Sequence, residues 1–212
     1  MQPKFIAFCG IDGSGKSTQS RLLYNKLLDN HIPVDLSKEP TDGPIGTLIR
    51  KVLSGEEKIS NISLETLFKL DRFEHEIKIR LLNSRGIVCI SDRSIISGIA
   101  YDTHKEKSLE ELYQEHENVK FPSELYFIDV PVEVALERIT ARCEEDGTEP
   151  DIYETPDQLE SIRNRFLRIL EYYSKEKLIK VHIIDGTKTE EVISNEIFEL
   201  SQQILDSIFL ES

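Results

Sequence analysis

The sequence predicts an α/β domain of three layers, in which a mostly parallel five-stranded sheet carries helices on both faces. Five short apolar runs alternate with segments whose apolar residues recur at helical spacing, the order typical of parallel strands joined by helices. The runs are continuously apolar, as expected for strands that are buried on both faces of a sheet. With 212 residues, the chain is long enough for one domain with a substantial core. We therefore expect residues 1–212 to form a single domain.

The individual elements follow in order along the chain. The first strand is predicted at residues 4–9 and the first helix at residues 19–28. A third predicted helix, at residues 64–82, has Ser63 as a candidate N-cap and Gly86 after its last turn, and both residue types favour helix ends. Further strands are predicted at residues 32–36, 87–90, 125–130 and 181–184, and further helices at residues 45–53, 134–142, 159–170 and 187–209.

An acidic segment at residues 143–156 interrupts this alternation. It contains Gly147, Pro150 and Pro156, and glycine and proline break helices and strands. We expect this segment to be a mobile loop between two helices.

A glycine-rich run at residues 10–18 carries the most specific motif of the chain. It fits the pattern G-x-x-x-x-G-K-S/T between a predicted strand and a predicted helix, the context of a phosphate-binding loop, or P-loop. Its glycines let backbone N–H groups surround a phosphate, and the helix presents its positive dipole end to the same anion. Lys16 is expected to reach the β- and γ-phosphates of a nucleoside triphosphate, and Ser17 to ligate Mg²⁺. The candidate ATP-binding residues of this run are Gly10, Ile11, Asp12, Gly13, Ser14, Gly15, Lys16, Ser17 and Thr18.

Asp92 and Arg93 directly follow the predicted strand at residues 87–90. This end of a parallel strand faces the ligand crevice of an α/β sheet. Asp92 is suited to hold Mg²⁺ and Arg93 to bind a phosphate. A helix N-cap and a surface arginine explain the pair equally well.

Phe68 and Arg72 lie four residues apart on a predicted helix and so share one face. An aromatic ring with an arginine one turn later can stack on a planar base and hydrogen-bond its edge. The residues alone favour the alternative of a core Phe68 and an exposed Arg72 that pairs with Asp71 or Glu76.

Composition and charge limit the classes of protein to which the chain can belong. The chain has 26 Lys and Arg residues against 39 Asp and Glu, a net charge of −13, which argues against a broad surface for DNA or RNA. It shows no apolar run as long as a membrane span and no signal-peptide pattern. We therefore expect a cytoplasmic protein that binds neither nucleic acid nor membranes. Its three cysteines are far apart and predict neither a disulfide framework nor a zinc site.

Five segments of the chain, the P-loop first, form an ordered series between residues 5 and 187. The others are Lys38-Glu39-Pro40, Leu67-Phe68-x-x-Asp71-Arg72-x-x-His75, Ser91-Asp92-Arg93-x-x-x-Ser97-x-x-Ala100-Tyr101 and Ile128-Asp129-Val130-Pro131-x-Glu133-x-Ala135-Leu136-x-Arg138. Taken together, these segments resemble the thymidylate kinase family. The resemblance implies a P-loop NTPase fold and ATP-dependent phosphorylation of dTMP to dTDP, by direct in-line transfer with Mg²⁺. It also implies a homodimer and a lid at residues 143–156 whose closure excludes water.

For the acceptor, the resemblance implies that Phe68 stacks on thymine and that Arg72 hydrogen-bonds the base. Arg93 would hold the phosphate of dTMP, Asp12 would accept from the sugar 3′-hydroxyl, and Tyr101 would crowd the 2′ position. The full set of candidate acceptor-binding residues is Asp12, Glu39, Pro40, Phe68, Arg72, Arg93, Ser97 and Tyr101.

For the donor, the resemblance places Arg142 over the adenine of ATP and the backbone around Gly186 along the edge of that ring. Arg138 joins them as a candidate ATP-binding residue, and Ser17 and Asp92 are the candidate Mg²⁺ ligands. The candidate catalytic residues are Lys16, Asp92, Arg93 and Arg142.

The chain departs from the family pattern where a catalytic arginine is usual. Gly13 and Ser14 occupy the P-loop positions, and Ile152 stands where a lid arginine is expected. A missing arginine can slow phosphoryl transfer on the order of 10³-fold or more. Two alternatives therefore stay open, a related pyrimidine nucleotide kinase with another acceptor preference and a nucleotide-binding protein with little turnover. The arginines that could substitute from flanking helices are Arg138, Arg142, Arg163 and Arg165.

Overall fold

The computed structural model of the protein describes residues 4–101, 108, 110–112, 119–176 and 179–209. The strands are β1 (Phe5–Cys9), β2 (Val34–Lys38), β3 (Val88–Asp92), β4 (Glu124–Asp129) and β5 (Lys180–Asp185). The principal helices are α1 (Lys16–Asp29), α2 (Pro44–Leu53), α3 (Leu64–Ser84), α4 (Ile95–Tyr101), α5 (Val132–Asp146), α6 (Pro156–Lys175) and α7 (Glu190–Phe209).

The strands form one sheet in the order β2-β3-β1-β4-β5, and each neighbouring pair is parallel. The predicted α/β fold with five strands is confirmed, and this sheet is parallel throughout rather than mostly parallel. β1 lies at the centre, so the P-loop leaves the sheet between the carboxyl ends of β3 and β4. In the register of the sheet, Phe8 of β1 is opposite Asp92 of β3. The topology therefore places Asp92 beside the P-loop.

The sheet divides the core into two halves, because successive side chains of a strand point to opposite faces. Ala7 and Cys9 pack on one face with side chains of α4, α5 and α6. Ile6 and Phe8 pack on the other face with side chains of α1 and α7. Helices on both faces of the sheet give the fold three layers, and the inner strands β1, β3 and β4 are almost entirely buried.

Several helices differ from the sequence prediction, and three of the differences have a clear local reason. The sequence does not predict α4, because its seven residues are too few to show a helical period. α5 continues to Asp146, and Gly147 ends it in the left-handed conformation with a φ of 65°. α6 begins earlier, at Pro156, since proline is favoured in the first turn of a helix. The non-helical part of the predicted lid is therefore the 147–155 loop.

In the part of the chain that the structure describes, no helix has both the length and the apolar character needed to cross a membrane. The three cysteines are buried and unpaired.

Candidate active site

A cavity of about 500 Å³ opens beside the P-loop, where β1, β2 and β3 end. Helices α2, α3 and α4 and the 147–155 loop complete its wall. The structure brings together here, from four separate segments, every side chain that the sequence predicts for the acceptor site. These residues are Asp12, Glu39, Pro40, Phe68, Arg72, Arg93, Ser97 and Tyr101.

The P-loop packs so closely against α5 that position 13 has no room for a side chain. Gly13 has a φ of 77°, and a β-carbon there would lie 2.4 Å from the carbonyl oxygen of Ala135. A contact that short requires the backbone of the loop or of α5 to move. An arginine at position 13 is therefore incompatible with this packing, which is a steric reason for the departure from the family pattern.

The carboxylate of Asp12 contacts two cations of the site. Lys16 donates from Nζ to Asp12 Oδ1 and to the carbonyl oxygen of Ile11, each at 3.1 Å. Arg93 donates from Nη2 to the same Oδ1 atom, and Tyr101 donates its hydroxyl to Oδ2 at 2.9 Å. Burial by itself would raise the pKa of Asp12, but Arg93 and Lys16 hold that pKa well below its usual range. Asp12 is therefore ionised, and its carboxylate connects Lys16 of the P-loop to Arg93 and Tyr101 of the cavity wall.

Arg93 is held in a strained backbone conformation. Its φ is 76°, in the left-handed region that costs a non-glycine residue roughly 1–2 kcal/mol. Its Nη1 atom donates to the Tyr101 hydroxyl at 3.2 Å, and the guanidinium lies 5.2 Å from the centre of the Tyr101 ring. Strain of this kind persists where surrounding contacts hold a residue in place, and here it directs the guanidinium towards the cavity.

The side-chain oxygens of Ser17 and Asp92 meet where the P-loop and β3 end. Ser17 donates its hydroxyl to Asp92 Oδ2. The other oxygen, Oδ1, is buried and finds no hydrogen-bond partner among the described residues, which is uncommon for a buried polar atom. Oxygen atoms of this kind are the ligands that Mg²⁺ prefers. The two side chains thus fit the ion that the sequence predicts for them.

The structure shows where the side chains of Phe68 and Arg72 lie, which the sequence left open. Arg72 is buried and donates from Nε to Glu39 Oε2 at 2.9 Å, instead of lying exposed beside Asp71 or Glu76. Phe68 is partly buried and lines the cavity one turn before Arg72. The alternative of a core phenylalanine with a surface arginine is therefore wrong.

Glu39 is an ionised carboxylate in a buried position. Burial raises its pKa, but Arg72 and His75 outweigh this effect and lower the pKa to about 2. The turn that carries Glu39 is also fixed on α3, since Thr41 donates its backbone N–H and its hydroxyl to Asp71 at 2.8 and 2.6 Å. Residues of α3 and of the turn after β2, among them the cavity-lining Glu39 and Arg72, therefore form one buried polar network.

Arg138 of α5 connects the P-loop to the turn after β5. Its Nη1 atom donates to the carbonyl oxygens of Gly13 and Ser14 at 3.3 and 3.4 Å, and its Nη2 atom donates to that of Gly186 at 3.0 Å. The structure thus places both Arg138 and Gly186 beside the P-loop. Because its donors point at backbone carbonyls, Arg138 fixes the relative position of these two loops.

Arg142 contacts the 147–155 loop and does not line the cavity. Its Nη2 atom donates to both carboxylate oxygens of Glu154, at 2.7 and 3.0 Å. The side chain of Glu154 is 4% exposed, whereas that of Arg142 is 48% exposed. The structure therefore places this predicted catalytic residue at the predicted lid, away from the acceptor side chains.

Two further candidate arginines lie on α6. Arg163 donates to the two carboxylate oxygens of Asp129 at 2.7 and 2.9 Å, and Arg165 donates to the carbonyl oxygen of Ile99 at 3.1 Å. Both are therefore engaged in contacts that hold α6 to neighbouring elements.

The sequence interpretation missed part of the cavity wall. Asp151 and Tyr153 contribute from the 147–155 loop, and the Tyr153 ring meets the Tyr101 ring edge to face with centres 5.2 Å apart. On α3 the missed residues lie three or four positions from Phe68 or Arg72, so helical spacing would have identified them. The missed residues on or next to α2, α3 and α4 are Arg50, Leu53, Ser63, Leu64, Glu65, Lys69 and Gly98.

Known proteins with similar sequences and structures agree on one family. Residues 8–197 match the thymidylate kinase family. A probable thymidylate kinase from Methanocaldococcus jannaschii is 33% identical over 195 residues, which cover 91% of this chain and 93% of that protein. Another from Pyrococcus horikoshii is 36% identical over 185 residues, with 84% and 88% covered. The structure of thymidylate kinase from Candida albicans matches with a TM-score of 0.72 at 27% identity, covering 95% of this chain and 92% of that one.

The packing of the P-loop on α5 predicts the effect of a single methyl group. Gly13→Ala adds a contact with Ala135 to the strain of a positive φ, whereas Gly55 has the same φ of 77° and no atom within 4 Å of a β-carbon. We expect Gly13→Ala to cost roughly 1–3 kcal/mol more stability than Gly55→Ala, with weaker ATP binding. Thermal unfolding and calorimetry with ATP measure both effects. Equal losses in the two variants would show that α5 does not restrict position 13.

The pKa of Glu39 predicts how stability depends on pH. A folded-state pKa of about 2 lies below the usual 4.5, so the carboxylate stabilises the fold above pH 4.5 and this contribution is lost as the pH falls towards 2. The pKa difference corresponds to a contribution on the order of 3 kcal/mol. In urea denaturation at neutral pH and near pH 3, wild type should lose more stability on acidification than Glu39→Gln. Glu171→Gln, which alters an exposed carboxylate, should follow wild type, and identical losses in all three proteins would contradict the expectation.

Proposed function

The chain belongs to the thymidylate kinase family and phosphorylates dTMP, and we propose that it transfers the γ-phosphoryl group of MgATP directly and in line, with dTDP and ADP as products. One observation carries this proposal: Asp12 is part of the P-loop and also lines the acceptor cavity. Donor and acceptor sites that share a residue bring their two substrates within reach of each other. Alignment of this kind, with stabilisation of charge, is what a protein contributes to phosphoryl transfer.

At the acceptor site, we assign base recognition to Phe68 and Arg72, by stacking and by hydrogen bonds to the base edge. Arg93 would bind the phosphate of dTMP, and Asp12 would then be free to accept from the sugar 3′-hydroxyl. Tyr101, which already donates to Asp12, would crowd the 2′ position and so favour deoxyribose. Glu39, Pro40 and Ser97 complete the wall of this cavity.

At the donor site, the backbone N–H groups of the P-loop and the amino end of α1 would surround the phosphates of ATP. Lys16 would exchange Asp12 for the β- and γ-phosphates, which carry more negative charge than one carboxylate. Adenine would lie beside Gly186. The hydrogen bonds of Arg138 support this place, because they keep the turn after β5 next to the P-loop.

Ser17 and Asp92 would hold the Mg²⁺ ion. Bound there, the ion would neutralise charge that develops on the phosphates during transfer. The unpartnered Oδ1 atom of Asp92 beside the Ser17 hydroxyl supports this assignment.

We assign to Arg142 the positive charge that another arginine supplies elsewhere in the family. Arg138 is committed to backbone carbonyls and Arg163 to Asp129, whereas the partner of Arg142 is Glu154 of the 147–155 loop. Closure of that loop would draw the Arg142 side chain, which is paired with Glu154, towards the nucleotide and would exclude water from the site.

We also propose a homodimer formed by the outer face of α3. Leu70, Phe73, Ile77 and Leu81 are between 45% and 64% exposed and share one helix face because they are three or four residues apart. When two copies of the stripe cross antiparallel, Leu70 meets Leu81 and Phe73 meets Ile77. A two-fold interface requires this self-complementarity, and a contiguous exposed apolar patch is typical of an interaction site.

We propose a cytoplasmic location for the protein. The nucleotides it uses are supplied there, and unpaired cysteines are the rule in that reducing compartment.

Coupled ADP release with MgATP and dTMP, dUMP, dCMP, UMP or thymidine tests the proposed function. We expect dTMP to be preferred, and Arg72→Ala to lower kcat/KM for dTMP roughly 10- to 100-fold because a charged donor to the base is lost. Arg80→Ala is the matched control, since Arg80 lies two turns later on α3, pairs with Glu76 and does not line the cavity. Turnover confined to another acceptor, or equal effects of the two variants, would refute the assignment.

The apolar stripe predicts the oligomeric state. Light scattering coupled to size-exclusion chromatography should give twice the chain mass of 24.4 kDa for wild type and the single mass for Phe73→Glu, because a buried unpaired carboxylate opposes the contact. Val192→Glu alters another exposed apolar residue outside the stripe and should remain dimeric. A monomeric wild type, or a dimeric Phe73→Glu, would exclude this interface.

A further inference from the structure

The guanidinium of Arg72 is confined on two sides. On one side, its Nε atom donates to Glu39 Oε2 at 2.9 Å. On the other side, Nη1 and Nη2 lie 2.7 Å from the position that a β-carbon of Gly98 would take, so the guanidinium packs against bare backbone of α4. Rotation towards α4 is blocked, and rotation away from α4 breaks the contact with Glu39. The position of the Glu39 carboxylate therefore sets the direction of the Nη atoms.

Glu39 is in turn held by His75 and Ser37. His75 follows Arg72 by one turn of α3, and its Nδ1 atom is 3.1 Å from Glu39 Oε1. On the far side of the ring, Nε2 is 2.7 Å from the hydroxyl of Ser37 in β2. His75 is 3% exposed, and neither His75 nor Ser37 is among the described residues that line the cavity. Glu39 is therefore the residue through which His75 contacts the cavity wall.

Proton positions follow from the groups that surround His75. An ionised carboxylate can only accept, so Nδ1 carries a proton and donates it to Glu39. Each oxygen of Glu39 thus receives one N–H, from Arg72 on Oε2 and from His75 on Oε1. Ser37 belongs to β2, and its hydroxyl, which has a single proton to donate, lies within reach of both Nε2 of His75 and, at 3.2 Å, the carbonyl oxygen of Ile90 in β3. The histidine is thereby linked to the sheet. With both oxygens occupied, the carboxylate cannot turn without losing a charged hydrogen bond.

We propose that His75 is a positioning residue for base recognition, which acts through Glu39 to direct the Nη atoms of Arg72 at the base of the acceptor nucleotide. The inference rests on the proposed function, because it requires a base beside Arg72. Without His75, Glu39 Oε1 is buried and lacks a donor, so the carboxylate turns towards another partner and Arg72 loses its fixed direction. Recognition of the base should weaken, whereas recognition of the phosphate should not.

A second histidine of the chain provides a matched control. The Nε2 atom of His182 is 3.2 Å from Glu124 Oε2, and the ring stacks on Tyr126 with centres 4.9 Å apart. This pair is also largely buried, but it lies on β4 and β5, and none of its members lines the cavity. Loss of His182 breaks a histidine–glutamate contact without affecting Arg72.

The test compares His75→Phe with His182→Phe in the full chain. Two constants are measured for each, KM for dTMP and the inhibition constant of 2-deoxyribose 5-phosphate, which has the sugar and the phosphate but no base. His75→Phe should raise KM about tenfold, as expected for one lost hydrogen bond to a charged group, with the inhibition constant within about twofold of wild type. His182→Phe should leave both constants at their wild-type values. A joint rise of both constants in His75→Phe, or no difference between the two variants, would overturn the proposal.

Two further variants separate positioning from folding. His75→Asn keeps an amide N–H near the place of Nδ1, so its KM for dTMP should lie within about threefold of wild type. This variant replaces His75→Phe in the test if His75→Phe does not fold. An Asn variant with wild-type stability and a tenfold higher KM would contradict a role for this hydrogen bond. In an Arg72→Ala background, His75→Phe should add no further rise in KM, because the residue it positions is gone. Additive effects would exclude the route through Arg72.

Failure of the proposed function has a separate signature. A wild-type protein that does not convert dTMP in the presence of MgATP would refute that function and this inference together. Wild-type turnover, with His75→Phe indistinguishable from His182→Phe, would refute the inference alone.

Discussion

The buried carboxylate of Asp12 is the interaction on which the rest of the active site depends. A buried anion costs several kcal/mol unless cations and hydrogen-bond donors surround it, and Lys16, Arg93 and Tyr101 provide them. The contacts that stabilise Asp12 therefore also fix the groups that face the substrates. In our proposal, Lys16 serves the phosphates of the donor and Arg93 that of the acceptor, so one anion would set the separation of two phosphates that must meet in line. In our proposal, the arriving phosphates take over both cations and leave Asp12 to a substrate hydroxyl.

The order of the strands explains why these groups meet. The carboxyl ends of parallel strands lie at one edge of the sheet, and the order β2-β3-β1 places Glu39, Asp92 and the P-loop side by side. The same compact arrangement has a steric consequence on the other side of β1, where α5 approaches Gly13 too closely for a side chain. In our proposal, positive charge for the transferring phosphoryl group therefore comes from a helix rather than from the P-loop.

The two halves of the site differ in how firmly their side chains are held. Arg72 is buried, and its partner Glu39 is bound on both carboxylate oxygens. Arg142, by contrast, is 48% exposed, and its partner belongs to the 147–155 loop. Side chains that are fixed before binding favour discrimination between bases, because they lose little conformational entropy when the ligand binds. A half-exposed arginine at the end of α5, paired with a carboxylate of the 147–155 loop, suits a group that closes over the nucleotide after it has bound.

By itself, the sequence determined the α/β fold, the P-loop and, through its resemblance to a family, part of the wall of the cavity beside the P-loop. Apolar runs, helical spacing and motif spacing are local properties of the chain, so they can be recognised without knowledge of the fold. The sequence did not determine what each helix face meets. Spacing puts Phe68 and Arg72 on one face of α3, but only Glu39 from the turn after β2 and Gly98 from α4 make that face part of a cavity wall rather than of a core. The exclusion of a side chain at Gly13 likewise depends on the approach of Ala135. These decisions belong to the tertiary structure, because they rest on contacts between residues far apart in the chain that form only when the sheet has assembled.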